Sequence, residues 1–225
     1  GQVEGFTEKY GMEYRRAYRE EEVDQQLVER HEREVFPLMR ARHLFSGSRD
    51  FAMFDFVTPE GHVDESVFAY SNRCGSERAF IVYNNRYGST RGVLHTSTAI
   101  NEGPADTPQL RQRSLVEALG LNTDDTCYYI FRDRRSGLEY LHHAPRLARE
   151  GLHLELHAYQ YCALLDWHEV HDFDYSWGRL HEILAGQGVP SVIDAYHEMH
   201  LKPIIEPFRE LVNADMLQRL AEAPD

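Results

Sequence analysis

Between residues 51 and 168 the apolar side chains recur at every second position in short runs, and Gly, Asn, Asp and Ser separate one run from the next. A period of two is the mark of extended backbone, because successive side chains on a strand point to opposite faces. β-Branched and aromatic residues gather in the same runs, as half-buried strands require. Strands are therefore expected near 51–57, 66–72, 78–84, 91–97, 126–132, 138–142, 152–158 and 161–168. Many short strands with few helices between them favour antiparallel pairing over a parallel sheet. The expected fold class is mainly β, an antiparallel β-sandwich of Greek-key type with about eight strands, flanked by an N-terminal amphipathic helix and C-terminal helices.

Two runs carry most of this pattern. In "LHLELHA", Leu152, Leu154 and Leu156 face one way while His153, Glu155 and His157 face the other, which predicts one buried and one wet face. "YCALLDW" sets Tyr161, Ala163, Leu165 and Trp167 against Cys162, Leu164, Asp166 and His168. Both of its faces carry apolar residues, so it belongs at the centre of the sheet. "VFAYSNRCGSERAFIVYNN", residues 67–85, reads as a hairpin with "CGSE" as its polar turn and Cys74 incidental there. The stretch "NEGPADTPQLRQRSLVEALGLNTDD" interrupts the strands as a long crossover, with one or two helical turns around 110–119.

A helical period holds on either side. Residues 12–45 place Val23, Leu27, His31, Val35, Leu38 and Met39 on one stripe, and Pro37 should kink or split that helix. Beyond residue 174, Leu180, Ile183 and Leu184 form one stripe, and Val192, Ala195 and Met199 another. Pro203 suits the first turn of a further helix lined by Ile204, Phe208, Leu211 and Val212. The expected organisation is 1–47 as loop and helix, 48–172 as the β-sandwich and 173–225 as a helical extension.

Charge excludes whole classes of partner. Lys and Arg number 24 against 37 Asp and Glu, and a formal charge of −13 repels nucleic acid and anionic membrane surfaces. No apolar run approaches the roughly 20 residues that cross a bilayer. "GQVEGFTEKYG" has neither the basic end nor the apolar stretch of a secretion signal, so a soluble, cytoplasmic protein is expected. Cys74, Cys127 and Cys162 lack the close pairs of a zinc site, and three cysteines do not all pair, so free thiols are expected.

Chemistry is sparse. No Gly-rich phosphate loop, Gly-x-Ser-x-Gly turn or HExxH pair occurs. The densest polar cluster is "DWHEVHD", with Asp166, His168, Glu169, His171 and Asp172. His168 ends a strand and His171 starts a loop there, so a metal site would need the turn to fold back, and none is expected. His142, His143, His153 and His157 are placed on solvated strand faces. His153 and His157 would lie about 13 Å apart at ~3.3 Å per residue, too far to share an ion. Among 37 acids, no carboxylate pair suited to glycoside hydrolysis stands out. The run "REEEVD" reads as a solvated helix start. Phe51, Phe54, Phe56, Phe68, Tyr70, Phe80, Tyr83, Tyr128, Tyr129 and Phe131 are expected mainly in the core, the alternative being an exposed platform for sugar rings. No catalytic, cofactor-binding or metal-binding residue is assigned.

The order of segments resembles a known family. A helix ending "FPLMRARHLF", then "FAMFDF", "VFAYSN", "ERAFIVYNN" and "GLHLELHAYQYCALLDW", is similar to the C-terminal part of α-amylase-family enzymes, glycoside hydrolase family 13. The resemblance covers roughly residues 1–168. It implies that "GQVEGFTEKYGMEYRR" is the loop after the last strand of a catalytic barrel, that residues 20–45 are its last helix, and that an antiparallel sandwich follows. The family's Gly-Phe-Arg-x-Asp and Asn-His-Asp contexts and a general-acid Glu are absent from this sequence. The implied role is therefore a non-catalytic region that supports an upstream barrel of the same polypeptide and contacts α-glucan, with no cofactor. A homodimer through the N-terminal helix is a further expected partner, and two alternatives stand beside this reading: an independent carbohydrate-binding module, and an interaction domain unrelated to sugars.

Overall fold

The computed structural model describes residues 2–8, 19–48, 50–104, 106–212 and 216. The expected helix and loop residues 9–18 and the tail beyond 216 lie outside the described residues. The chain is mostly β. Among the described residues ten strands run in order: β1 (Ala52–Phe54), β2 (Val67–Cys74), β3 (Glu77–Asn84), β4 (Thr90–Leu94), β5 (Ile100–Asn101), β6 (Leu110–Arg111), β7 (Cys127–Asp133), β8 (Glu139–His143), β9 (Leu152–Leu156) and β10 (Tyr161–His171). Six of them form one antiparallel sheet in the order β1-β2-β3-β10-β7-β8, while β4 pairs with β9 and β5 with β6. Each of the eight expected runs contains a strand, and the two-residue β5 and β6 are additions within the crossover.

The helices are α1 (Gln25–Arg30), α2 (Phe36–Arg40), α3 (Arg42–Phe45), α4 (Leu115–Leu119), α5 (Ala144–Glu150), α6 (Ser176–Leu184) and α7 (Val192–Leu211). A π-helical turn, His31–Val35, joins α1 to α2 immediately before Pro37. That extra residue in the turn is how the helix admits a proline: Pro37 falls in the first turn of α2, where its missing N–H is not needed. Only part of the expected apolar stripe docks. Met39 is 65% exposed, and Val23 and Val35 are also exposed. Leu38 of the stripe meets the sheet together with Leu44 and Phe45, which pack on Ala79, Ala163 and Leu165. Glu34 is buried between them, accepting a 2.7 Å hydrogen bond from the Tyr161 hydroxyl.

One face of the six-stranded sheet shares a buried cluster with the β4–β9 pair. Phe54, Val67, Phe80, Val82, Tyr129, Phe131 and Leu164 meet Leu94, Leu152 and Leu156 there, and Leu115, Leu119 and Leu147 close the ends. Val57 bridges Val93 beside β4, so the chain after β1 stitches the two ladders together. Gly92 permits this approach, because a Cβ there would stand 2.5 Å from the Val57 carbonyl oxygen and 2.7 Å from the Phe56 ring. The opposite face of the large sheet is covered in two halves. The N-terminal helices lie over β3 and β10, while α6 and α7 pack Leu180, Leu184 and Val192 on Tyr128, Ile130 and Leu141.

The central position of β10 is as the sequence implied, but its faces are not. Leu165 pairs with Arg132 and His168 with Ile130, so two residues of β10 stand opposite one of β7. Asp166 takes a positive φ of 55° at this bulge, and an ion pair of 2.7 Å to Arg134 holds it. The bulge reverses the alternation. Leu165 therefore faces the N-terminal helices, and Trp167 turns inward to the cluster that holds Leu164. Pro203 and Pro207 likewise depart from expectation, lying inside a continuous α7 rather than at a helix start. That part of α7 is exposed, so water can satisfy the carbonyls that the two prolines leave without donors.

Alternation on β9 is the clearest stability test. Leu156 is fully buried, whereas His153 and Glu155 are exposed. In urea unfolding, Leu156→Ala is expected to cost about 2–5 kcal/mol. Glu155→Ala is expected to change stability by less than ~0.5 kcal/mol. Equal costs would contradict the observed facing of β9.

Candidate functional site

Two surfaces stand out. The larger is a cleft of about 860 Å³, within the range of small-molecule sites, bounded by β8, α5, β9 and the end of α6. It exists because β8 and β9 are both edge strands, and the short α5 that links them spans one end of the gap. Pro145 near the start of α5 and Gly151 just past its end are the sequence signal that would have located this helix. Phe131, Leu154, Cys162 and Leu164 form the apolar wall, and Asp133, Tyr140, His142, Arg146 and Gln160 add polar groups.

His142 occupies the wall, not the solvated strand face expected for it. It is part-buried and stacks on Phe131 at 5.2 Å with an interplanar angle of 18°, and Phe131 stacks in turn on Trp167 at 4.3 Å. Neither ring nitrogen has a hydrogen-bond partner among the described residues. Desolvation, then the positive charge available at His181 and Arg146, holds its imidazole down to about 4, so it is neutral near pH 7. Burial, reinforced by Asp133, pushes the Cys162 thiol up to about 12. Asp133 itself accepts from the backbone N–H groups of Arg135, Ser136 and Ala163 and from the Ser136 hydroxyl, at 2.8–3.2 Å. Its carboxylate is thus spent on the β7–β8 turn. A closely fitted backbone completes this end: a Cβ on Gly188 would come within 2.7 Å of the Tyr140 ring.

The second surface is a pair of neighbouring loops. Tyr87 is 88% exposed in the loop after β3, and Tyr159 is 57% exposed between β9 and β10. The Tyr159 N–H donates to the Arg86 carbonyl at 3.2 Å, and Tyr159 adopts a left-handed φ of 53°. Buried Asn84 pins both loops, its amide donating at 2.8 Å to the carbonyls of Gly88 and His157. Asp64 adds a second anchor through Thr90 at 2.7 Å and Arg86 at 3.0 Å. The "YNN" of "RAFIVYNN" is therefore a loop-fixing device. Most of the aromatics expected in strands are core, including Phe54, Phe56, Phe80, Tyr128, Tyr129 and Phe131, while Phe68 is 46% exposed.

The residues of "DWHEVHD" are drawn into separate tasks. Glu169 and His171 share one face of β10 and meet at 3.0 Å without any folding back. Thr126 lies 3.3 Å from the other His171 nitrogen, and the Tyr129 hydroxyl donates to Glu169 at 2.5 Å. This order of hydroxyl, imidazole and carboxylate has the members of a nucleophilic triad. Glu169, however, also accepts from the Asn122 amide at 3.3 Å, and the Asn122 N–H donates to Tyr129 at 2.8 Å. The cluster works as a brace between the 122–126 loop and β10. Asp172 accepts from Gly178 N–H at 2.8 Å at the start of α6, and His168 is exposed. His143 meets the Asp125 carbonyl at 2.9 Å and packs at a tilt against the Tyr128 ring, while His157 reaches Ser89 at 3.1 Å. Among the described residues no group of three or more His, Cys, Asp and Glu side chains could hold a metal, and no helix is long and apolar enough to cross a membrane. Cys74, Cys127 and Cys162 are free.

No protein-family model and no curated protein matches this chain. Its role is therefore argued from the surfaces themselves.

The desolvated imidazole of His142 has a thermodynamic consequence. The unfolded chain takes up a proton on His142 near pH 6.5, whereas the folded chain does so only near 4, so acid favours unfolding within that window. Stability should fall as pH drops from about 6.5 towards 4, and His142→Phe should flatten part of that slope in chemical unfolding at a series of pH values. An unchanged slope would contradict the desolvated placement.

Proposed function

We propose that this chain is the non-catalytic β-rich region of an α-amylase-type glycoside hydrolase, and that it contacts α-glucan through Tyr87 and Tyr159. The carrying observation is that these tyrosines stand exposed on two loops fixed to each other and to the buried Asn84. Aromatic faces on a fixed frame suit the C–H faces of sugar rings, because little loop order remains to be imposed on binding. The order of segments supports the α-glucan reading over other glycans. In this reading the two ladders that share the main cluster correspond to the family's Greek-key sandwich, and the protein resides in the cytoplasm.

The outer side of the sheet supports the same reading. Met53 and Phe68 on the strands, with Val35 and Met39 on the helices, are large apolar residues left exposed on that side. Such a surface is suited to cover by another body, here the upstream barrel of the same polypeptide. In the same reading, homodimerisation through the N-terminal helices is the other way to cover this side.

Retardation in an affinity gel containing soluble α-glucan tests the proposal. The wild-type chain should be retarded, and Tyr87→Ala and Tyr159→Ala should each weaken binding by roughly two- to tenfold, the worth of one ring contact. Phe173→Ala, on a different loop, should leave it unchanged. No retardation, or equal retardation of all variants, would overturn the glucan contact. The chain alone should also show no turnover of an aryl α-glucoside, and activity that survives repurification would overturn the non-catalytic assignment.

A further inference from the structure

We propose that the cleft between β8, α5 and β9 binds a neutral ring compound bearing a hydroxyl group, with His142 as its hydrogen-bond partner. This inference does not depend on the glycoside-hydrolase reading. The cleft's volume of about 860 Å³ accommodates a molecule of two or three rings.

Charge selects a neutral occupant. The Asp133 carboxylate at the floor already receives four donors. Arg146 is engaged by Glu150 at 2.7 Å, and the Arg135 Nε donates to the Tyr161 carbonyl at 3.0 Å. Glu155 and Glu182 in the lining add negative charge, which opposes an anion. An anion would face four carboxylates, Asp133, Glu150, Glu155 and Glu182, against the two guanidiniums of Arg135 and Arg146, and a cation would find Asp133 and Glu150 already engaged, so either would lose water without full compensation.

His142 selects the hydroxyl. A neutral imidazole carries one N–H donor and one acceptor nitrogen, and both lack a protein partner among the described residues. A hydroxyl can satisfy either nitrogen, whereas a hydrocarbon would leave the imidazole unpaired. The wall selects the ring. Trp167, Phe131 and His142 form a run of near-parallel planes with angles of 28° and 18°, and Tyr140 lies 20° from Phe131. A flat molecule placed against such a run gains offset stacking as well as burial against Leu154 and Leu164.

The test uses the full chain at pH 7 and compares 2-naphthol with 2-naphthoate by fluorescence titration. Saturable binding of 2-naphthol is expected, at least about tenfold tighter than 2-naphthoate. His142→Phe keeps the stack and removes the hydrogen bond, so it should weaken 2-naphthol binding roughly three- to tenfold. Leu154→Trp should narrow the cleft along its apolar wall and weaken binding. If either variant fails to fold, the wild-type protein decides through the ¹⁵N resonances of the His142 ring, which should shift in step with 2-naphthol saturation. No saturation, binding of 2-naphthoate as tight as 2-naphthol, equal binding by folded His142→Phe, or an unmoved His142 ring would each overturn the proposal.

Discussion

Strand β10 is buried on both faces, and the whole arrangement depends on that double burial. A strand with apolar groups on one face alone could have closed one core. Here Cys162 and Leu164 enter the main cluster while Ala163 and Leu165 meet the N-terminal helices. The bulge at Asp166 then lets a single strand serve a third surface. Beyond it, Val170 packs under α6 and α7, and Trp167 returns to the inner side to stack on Phe131. Without the extra residue, Trp167 would point outward and the inner cluster would lose its largest side chain.

The two candidate surfaces follow from what β10 leaves unpaired. Its partners β3 and β7 carry the sheet outward to β2, β1 and β8, and β9 belongs to the smaller ladder. The gap between the β8 and β9 edges becomes the cleft, and the connections β3–β4 and β9–β10 meet at one end as the tyrosine-bearing loops. Polar groups in both places are assigned by position. Asp64 and Asp133 are buried and spent on turns, and Asn84 commits its amide N–H groups to the loops while its Oδ1 stays unpaired among the described residues; His142 keeps unspent hydrogen-bonding capacity in the lining of the cleft.

The strands are legible in the sequence because β-branched and aromatic residues gather in eight short runs, several of them with a clear period of two such as β1 and β4. The central place of β10 is legible too, since a strand that is apolar on both faces must be covered on both. What the pattern hides is local. One bulged residue at Asp166 reverses facing without changing composition, and an alternating pattern does not reveal a missed beat when Leu, Asp and Trp are each acceptable on either face. The stripe in residues 23–39 misleads for a related reason: the π-helical turn before Pro37 shifts the helix phase, so Leu38 docks while Val35 and Met39 do not. The cleft lies beyond pattern reading altogether. His142 and Cys162 come from strands that only the sheet order brings together, and α5 is too short to show a period.

Side-chain nuclear Overhauser contacts across β10 test the central claim most directly. The bulged strand predicts contacts from the Leu165 methyls to Leu44 in the N-terminal helices, and from the Trp167 indole to the Phe131 ring on the opposite side. Contacts from both Leu165 and Trp167 to the N-terminal helices would show unbroken alternation and contradict the account.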